Sequence, residues 1–289
     1  MITLYDNAFS PFARKVRMVL EHKGLDFEPV DGLLRANHDA LKAVNGRIEV
    51  PVLVDGDLVV VNSADIVSYV EFRYPANAVY PSEPAARVHA RAWERAADAF
   101  IDPILVDISF WKWADRPDSM PDGLLEAARS DLRRVYDALD ASLADREFVS
   151  GPLSIADIAL FPHISSVKVM EVEFSASRHP NLAGWFRQMR ALPICAADLT
   201  RARFCAQREG TGFRAATYFL ARRPHRVAVG ARLPRLVLQR DRASAGGVAR
   251  AGTAGTAESA GGLSRTATRE NSLALIPLSG VVGLPAPTT

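Results

Sequence analysis

The chain has 289 residues, 48% of them apolar and 24% charged, with a net charge of +2. That balance belongs to a globular protein of one or two domains and excludes a fibrous or disulfide-framework chain. The small net charge hides a division. Residues 1–209 carry 24 basic and 30 acidic side chains, whereas residues 210–289 carry 11 arginines, no lysine and 3 acids. The body is acidic and the tail basic. Cys195 and Cys205 form no CxxC and no metal-ligand spacing; free thiols in a reducing compartment are expected. No signal peptide is read at the start and no apolar run is long enough to span a bilayer, so a cytoplasmic protein without membrane contact is expected.

Ile2–Tyr5 reads as a short strand and 6–9 as a loop. Ser10-Pro11 then opens a helix, with serine at the N-cap and proline at the first helical position. Phe12, Val16, Val19 and Leu20 repeat at helical spacing, and Gly24 is the expected stop. Leu25–Val30 reads as a second strand, half buried by alternation, and His38–Val44 as a short helix. Val50–Val54 and Leu58–Val61 flank Asp55-Gly56-Asp57, a strong hairpin signal. Pro51 opens the first run, where its missing donor is tolerated and a cis bond is available. Ser63 is the expected N-cap of the next helix, with Asp65 in the first turn and Ile66, Val67 and Val70 behind it. The order β-α-β-α-β-β-α is complete by Tyr74. Residues 1–74 are therefore read as an α/β thioredoxin-like domain with a mixed four-stranded sheet.

Residues 75–84, with Pro75, Pro81 and Pro84, read as a linker. A long helical stretch from Ala85 to about Ala114 is expected to place Val88, Ala92, Trp93, Ala96, Phe100, Ile104 and Ile108 on one face, and Pro103 to kink or split it. Pro121–Leu143 reads as a second amphipathic helix. Ser154 and Asp157 make a capping box before a buried helix. Pro180 starts a helix carrying Trp185, Phe186 and Met189, and Pro193 a last one through Arg203. Residues 85–209 are thus an all-α domain. Ala, Gly, Ser, Thr and Arg dominate from Ala243 to Arg269 within the segment 210–289. Such a segment cannot bury enough apolar surface to offset ordering, about 1–2 kcal/mol per residue, so a disordered tail is expected. It lacks the folded module that a nucleic-acid-binding arm would serve, and no nucleic-acid partner is expected.

Val50-Pro51-Val52-Leu53, followed by Asn62-Ser63 at a helix start, resembles the glutathione-binding half of cytosolic glutathione transferases. Gly151, Ser154 and Asp157, and then Pro180-Asn181-Leu182 with Trp185, resemble that family's helical half. The resemblance covers about residues 1–208. It implies glutathione as cosubstrate, a cis bond before Pro51, and backbone pairing between Val50 and the cysteinyl part of glutathione. Ser63 would hold the γ-glutamyl carboxylate, and Asn62 stands where the family usually has Glu or Gln reaching the γ-glutamyl amine. Ser10 matches the serine-type enzymes, whose hydroxyl donates to the glutathione thiolate. A donor and a helix dipole favour the anion and lower the thiol's pKa, and the sulfur then attacks a small hydrophobic electrophile. A pure N-cap role for Ser10 is compatible with this, Tyr5 is an alternative hydroxyl, and Asn7 could assist. A hydroxyl cannot form a mixed disulfide, which argues against reductase chemistry.

The same resemblance places Phe110, Trp111 and Trp113 at the electrophile site, with core packing as the alternative reading, and Glu49 where related enzymes often carry Lys for the glycine carboxylate; Arg47 or His38 could substitute. It implies a homodimer and a role in detoxification. Two rival readings stay open. One is a binding or regulatory protein that has lost efficient chemistry, favoured by Asn62 and Glu49; the other is a glutathione-dependent isomerase or dehalogenase. His22, His89, His163 and His179 show no ligand spacing, and no metal is expected.

Overall fold

β1 (Ile2–Asp6) is short and apolar enough to occupy the interior of a sheet: Leu4 is fully buried. The computed structural model describes residues 1–113 and 119–208, so the expected tail lies outside the described residues. β2 (Phe27–Asp31) pairs parallel to β1 on one side, and β3 (Val52–Asp55) pairs antiparallel on the other. β4 (Leu58–Val61) pairs antiparallel to β3, giving the order β2-β1-β3-β4. Asp55 and Leu58 face each other across a two-residue turn, and Gly56 takes φ +62°. That left-handed conformation is what a tight hairpin demands of its first central residue. β2 departs from the expected alternation. Glu28 and Pro29 are exposed and Phe27 and Val30 half buried, because β2 is an edge strand, where proline is tolerated.

α1 (Pro11–His22) and α3 (Ser63–Arg73) pack against each other beside the sheet, and α2 (His38–Asn45) follows a short turn after β2. Ser10 caps α1, its Oγ accepting the Ala13 N–H at 3.3 Å. Gly24, at φ +67°, ends the helix. The expected N-cap at Ser63 shifts by one residue. Asn62 holds the cap position, with φ 65° and ψ 128°, and Ser63 is the first helical residue. The Ile66 N–H bonds back to the Asn62 carbonyl at 2.9 Å. Asparagine accepts positive φ more readily than most residues, though the conformation still costs on the order of 1–3 kcal/mol.

The helical half begins with α4 (Pro84–Ala96), which gives way to a π-helical segment (Ala97–Ile101) and then α5 (Asp102–Trp113). Pro103 has no N–H, so it cannot continue the α ladder. The wide turn ahead of it, with Asp102 N–H bonded to the Ala97 carbonyl, absorbs the break. The buried stripe is not the expected one. Ala90, Trp93, Ala97, Ile101, Leu105 and Ile108 are buried, while Val88, expected on the inner face, is 70% exposed. α6 (Leu124–Ser142), α7 (Ile155–Ile164), α8 (Pro180–Ala191) and α9 (Pro193–Arg208) complete the bundle. Among them α7 is buried at every position. One hydrophobic cluster runs from Leu4 and Val16 through Trp93 to Phe161 and Trp185, so the two halves share a core.

Asp157 is structural, as its capping-box position suggests. Its carboxylate accepts from Val149 N–H, Ser154 N–H and the Trp185 indole at 2.9–3.0 Å. Burial raises its pKa, and those hydrogen bonds oppose the rise.

Candidate functional site

The hairpin, the loop before it and the start of α3 converge on a cavity of about 280 Å³. Val50, Pro51, Asn62 and Ser63 all line it, and the Val50–Pro51 bond is cis. The loop just ahead of β3 brings Val50 and Pro51 there, and the β4–α3 junction brings Asn62 and Ser63. The approach of Val50 depends on Gly32, just past β2. A Cβ at Gly32 would lie 2.7 Å from Val50 Cγ1 and 3.0 Å from Leu41 Cδ2, too close for any larger residue without displacing the cavity wall. Sequence reading gave Gly32 no role, because a close approach between distant segments leaves no local signature.

The N–H groups of the first α3 turn precede the first ladder bond, so this end of the cavity carries unpaired donors and partial positive charge, suited to a carboxylate. Asn62 does not reach into the cavity with its amide free; Nδ2 donates to Asp65 Oδ2 at 3.2 Å. Arg47 and Glu49 line the opposite side and pair at 3.6 Å with both side chains largely solvated. Such a pair contributes at most about 1 kcal/mol. His38 is engaged locally, its Nε2 3.0 Å from the Leu33 carbonyl, and does not line the cavity.

One wall comes from the helical half and was not foreseen. Asp98, in the π-helical segment, lines the cavity. Its Oδ2 accepts from Lys15 Nζ at 2.5 Å, while Oδ1 is buried with no hydrogen-bond partner among the described residues. Lys15, on α1 and 1% exposed, also lies 3.5 Å from Glu94. Burial raises the Glu94 pKa, and Lys15 opposes the rise.

A second cavity, of about 940 Å³, lies between α1, α5, α7 and α9. Its wall is largely apolar. Of the aromatic trio expected there, Trp113 lines it; Phe110 and Trp111 instead pack edge-to-face at 5.8 Å and are not on the wall. Phe9, Phe174 and Phe186 supply the aromatic surface. The α5 register explains the difference, since consecutive helical residues point about 100° apart and only some can face the cavity.

Ser10 is flanked in sequence by residues that line the two cavities. Ala8, Phe9 and Pro11 line the larger cavity and Phe12 the smaller, but Ser10 itself is 1% exposed and on neither lining. The structure thus brings Val50, Pro51, Asn62 and Ser63 together and leaves Ser10 behind the wall. Its oxygen accepts one hydrogen bond, which leaves the hydroxyl proton to donate. Asn7 is occupied in its loop, accepting from Phe9 N–H and donating to Asp31. Among the described residues no group of three His, Cys, Asp or Glu side chains could hold a metal ion, and no helix is long and apolar enough to cross a membrane.

A thioredoxin-like sheet with a cis-proline cavity, joined through a shared core to a helical bundle, defines a class. Residues 4–78 match the family model of the glutathione S-transferase N-terminal domain, and residues 122–188 that of the C-terminal domain. The chain belongs to the glutathione S-transferase family. The glutathione S-transferase GstB of Escherichia coli is 28% identical over 199 residues, 67% of this chain and 95% of that protein. A glutathione S-transferase structure from Rhodospirillum rubrum is similar with a TM-score of 0.61 and 25% identity, covering 69% of this chain and 92% of that one. The glutathione transferase Ure2p5 of Phanerochaete chrysosporium shares the fold, with a TM-score of 0.63 and 23% identity over 72% of this chain and 98% of that one.

Proposed function

We propose that this chain is a glutathione transferase that activates the glutathione thiol for attack on a small hydrophobic electrophile. The observation that carries the reading is that the residues flanking Ser10 line two cavities: Phe12 the smaller one, which ends at a helix N-terminus, and Phe9 and Pro11 the larger, mainly apolar one. Glutathione fits the smaller cavity by charge. Its γ-glutamyl carboxylate would take the Ser63 hydroxyl and the first-turn N–H groups of α3. Its ammonium would take the unpartnered Asp98 oxygen, and its cysteinyl backbone would pair with Val50. The thiol would then lie toward Ser10, whose hydroxyl proton is uncommitted, and the electrophile would occupy the larger cavity. A buried Cys195 thiol suits a reducing cytoplasm, where glutathione is abundant.

The test is retention on immobilised glutathione together with conjugation of 1-chloro-2,4-dinitrobenzene. Retention with measurable conjugation is expected; a chain that neither binds the resin nor consumes the thiol would end the proposal. Retention without conjugation would favour the second reading, a glutathione-binding protein without efficient catalysis. The burial of Ser10 and the turn of Asn62 toward Asp65 are the observations that speak for it.

A homodimer is part of the proposal. Phe72 on α3 is 89% exposed and Val88 on α4 is 70% exposed, with Leu58 and Val59 of β4 also open to solvent. Apolar groups on both halves suit a two-fold contact in which one protomer's first domain meets its partner's second. Phe72→Ser is expected to shift the sedimentation coefficient from dimer to monomer. A wild-type chain that sediments as a monomer at micromolar concentration would refute this part.

A further inference from the structure

The larger cavity has a mainly apolar wall that also carries exposed cations. Lys168 follows α7, Arg190 ends α8 and Arg203 lies on α9, and all three line the cavity and are exposed. Among the described residues none of the three forms an ion pair; Arg190 lies over the Phe186 ring at 5.8 Å. The other cation on the wall, Arg14, is neutralised by Asp198 at 2.6 Å. Against the three stands one exposed acid on the lining, Glu173; Asp102 is buried beside His163, 3.6 Å away. This concentration of positive charge occurs on a body whose first 209 residues are net acidic, so it does not follow from composition.

We propose that the electrophile this cavity takes is an amphipathic organic acid: an apolar, preferably aromatic body carrying a carboxylate or sulfonate. The apolar wall buries the body, the reacting carbon faces the Ser10 end, and the acidic group stays at the mouth, between Arg190 and Arg203. The planar guanidinium of each can donate to a carboxylate bidentately, and Arg190 is already steadied on the Phe186 face. A purely polar anion would leave the apolar wall wet, and a neutral apolar molecule would leave the cations unused. The inference takes its chemistry from the transferase reading, but its binding stands apart from it.

The experiment separates the two. Conjugation is measured with 4-chloro-3,5-dinitrobenzoate and with its methyl ester. In each the thiolate forms a carbon–sulfur bond, the carbon–chlorine bond breaks, chloride leaves and the thiol proton passes to solvent. The acid is expected to show a KM about tenfold below that of the ester, a preference that shrinks with added salt, because two or three partly solvated charge contacts are worth about that much. In the variant Arg190→Gln/Arg203→Gln the acid-to-ester KM ratio is expected to approach one. In parallel, 8-anilinonaphthalene-1-sulfonate and the neutral N-phenyl-1-naphthylamine are titrated by fluorescence, with the same collapse of preference expected. Conjugation of both compounds with equal KM would overturn the acidic-substrate proposal and leave the transferase reading intact. No conjugation, but an arginine-dependent preference for the sulfonate, would overturn the transferase reading and leave the anion site standing. A sulfonate preference that survives the double variant would overturn the site.

Discussion

Arg14→Ala is expected to destabilise the protein by about 3–5 kcal/mol, and with it to lower the melting temperature by roughly 10 °C or more. Arg14 leaves α1 and enters the helical half. Its Nε and Nη2 reach both oxygens of Asp198 on α9 at 2.6–3.1 Å, Nη1 donates to the Pro162 carbonyl at 3.2 Å, and Nη2 also donates to Ser165 Oγ at 3.0 Å. Asp198 is fully buried. Removing the guanidinium leaves a carboxylate stripped of water, with only Arg17 Nη1, 3.8 Å away, as a remaining cation. The cost is therefore that of an uncompensated buried charge and exceeds the net worth of the pair. Replacing both partners, Arg14→Met with Asp198→Leu, is expected to recover most of the loss, since apolar isosteres of a buried pair are often neutral. Chemical denaturation of the two variants checks this. A single variant within 1 kcal/mol of wild type, or a double variant no better than the single, would contradict the account.

Ser10→Ala is expected to lower kcat/KM for thiol conjugation roughly 10- to 100-fold, the worth of one hydrogen bond to a charged partner. The sign with pH is fixed. A hydroxyl donor favours the thiolate, so it lowers the bound thiol's pKa; without it the pKa rises, and the loss is largest near neutrality and shrinks in alkali. The same change removes an N-cap, worth about 1 kcal/mol of stability. Ser10→Gly separates the roles. Glycine is nearly as good an N-cap as serine but has no hydroxyl to give, so stability near wild type with activity as low as in Ser10→Ala is expected. Full activity and an unshifted pH profile in Ser10→Ala would leave Ser10 as a cap and nothing more.

The local signals in the chain were legible because their chemistry is local. Asp55-Gly56 set the hairpin, Ser10-Pro11 and Gly24 bounded α1, and Ser154 with Asp157 announced the capping box, each by rules acting within a few residues. What sequence did not reveal was set by contact between distant segments. Gly32 matters only because Val50 passes it, and Asp98 only because α4 continues as a wide turn that swings it toward Ser63's cavity. The stripe read along 85–114 ran through Val88, Ala92, Ala96, Phe100 and Ile104 in four-residue steps; the buried set from Ala90 through Trp93, Ala97, Ile101 and Leu105 to Ile108 keeps to the helical pitch, and Val88, five residues before Trp93, faces away from it. β2 was read as half buried because its alternation was visible, while its place at the sheet edge was not.

That wide turn also ties two properties to one piece of backbone. Asp98 faces the smaller cavity from it, and Asp102, Leu105 and Val106 face the larger one within the next two turns. Any insertion, deletion or proline exchange here would rotate both walls at once. Over evolutionary time, the shapes of the two cavities are therefore free to drift separately through side-chain changes, but should shift jointly whenever the length of this segment changes.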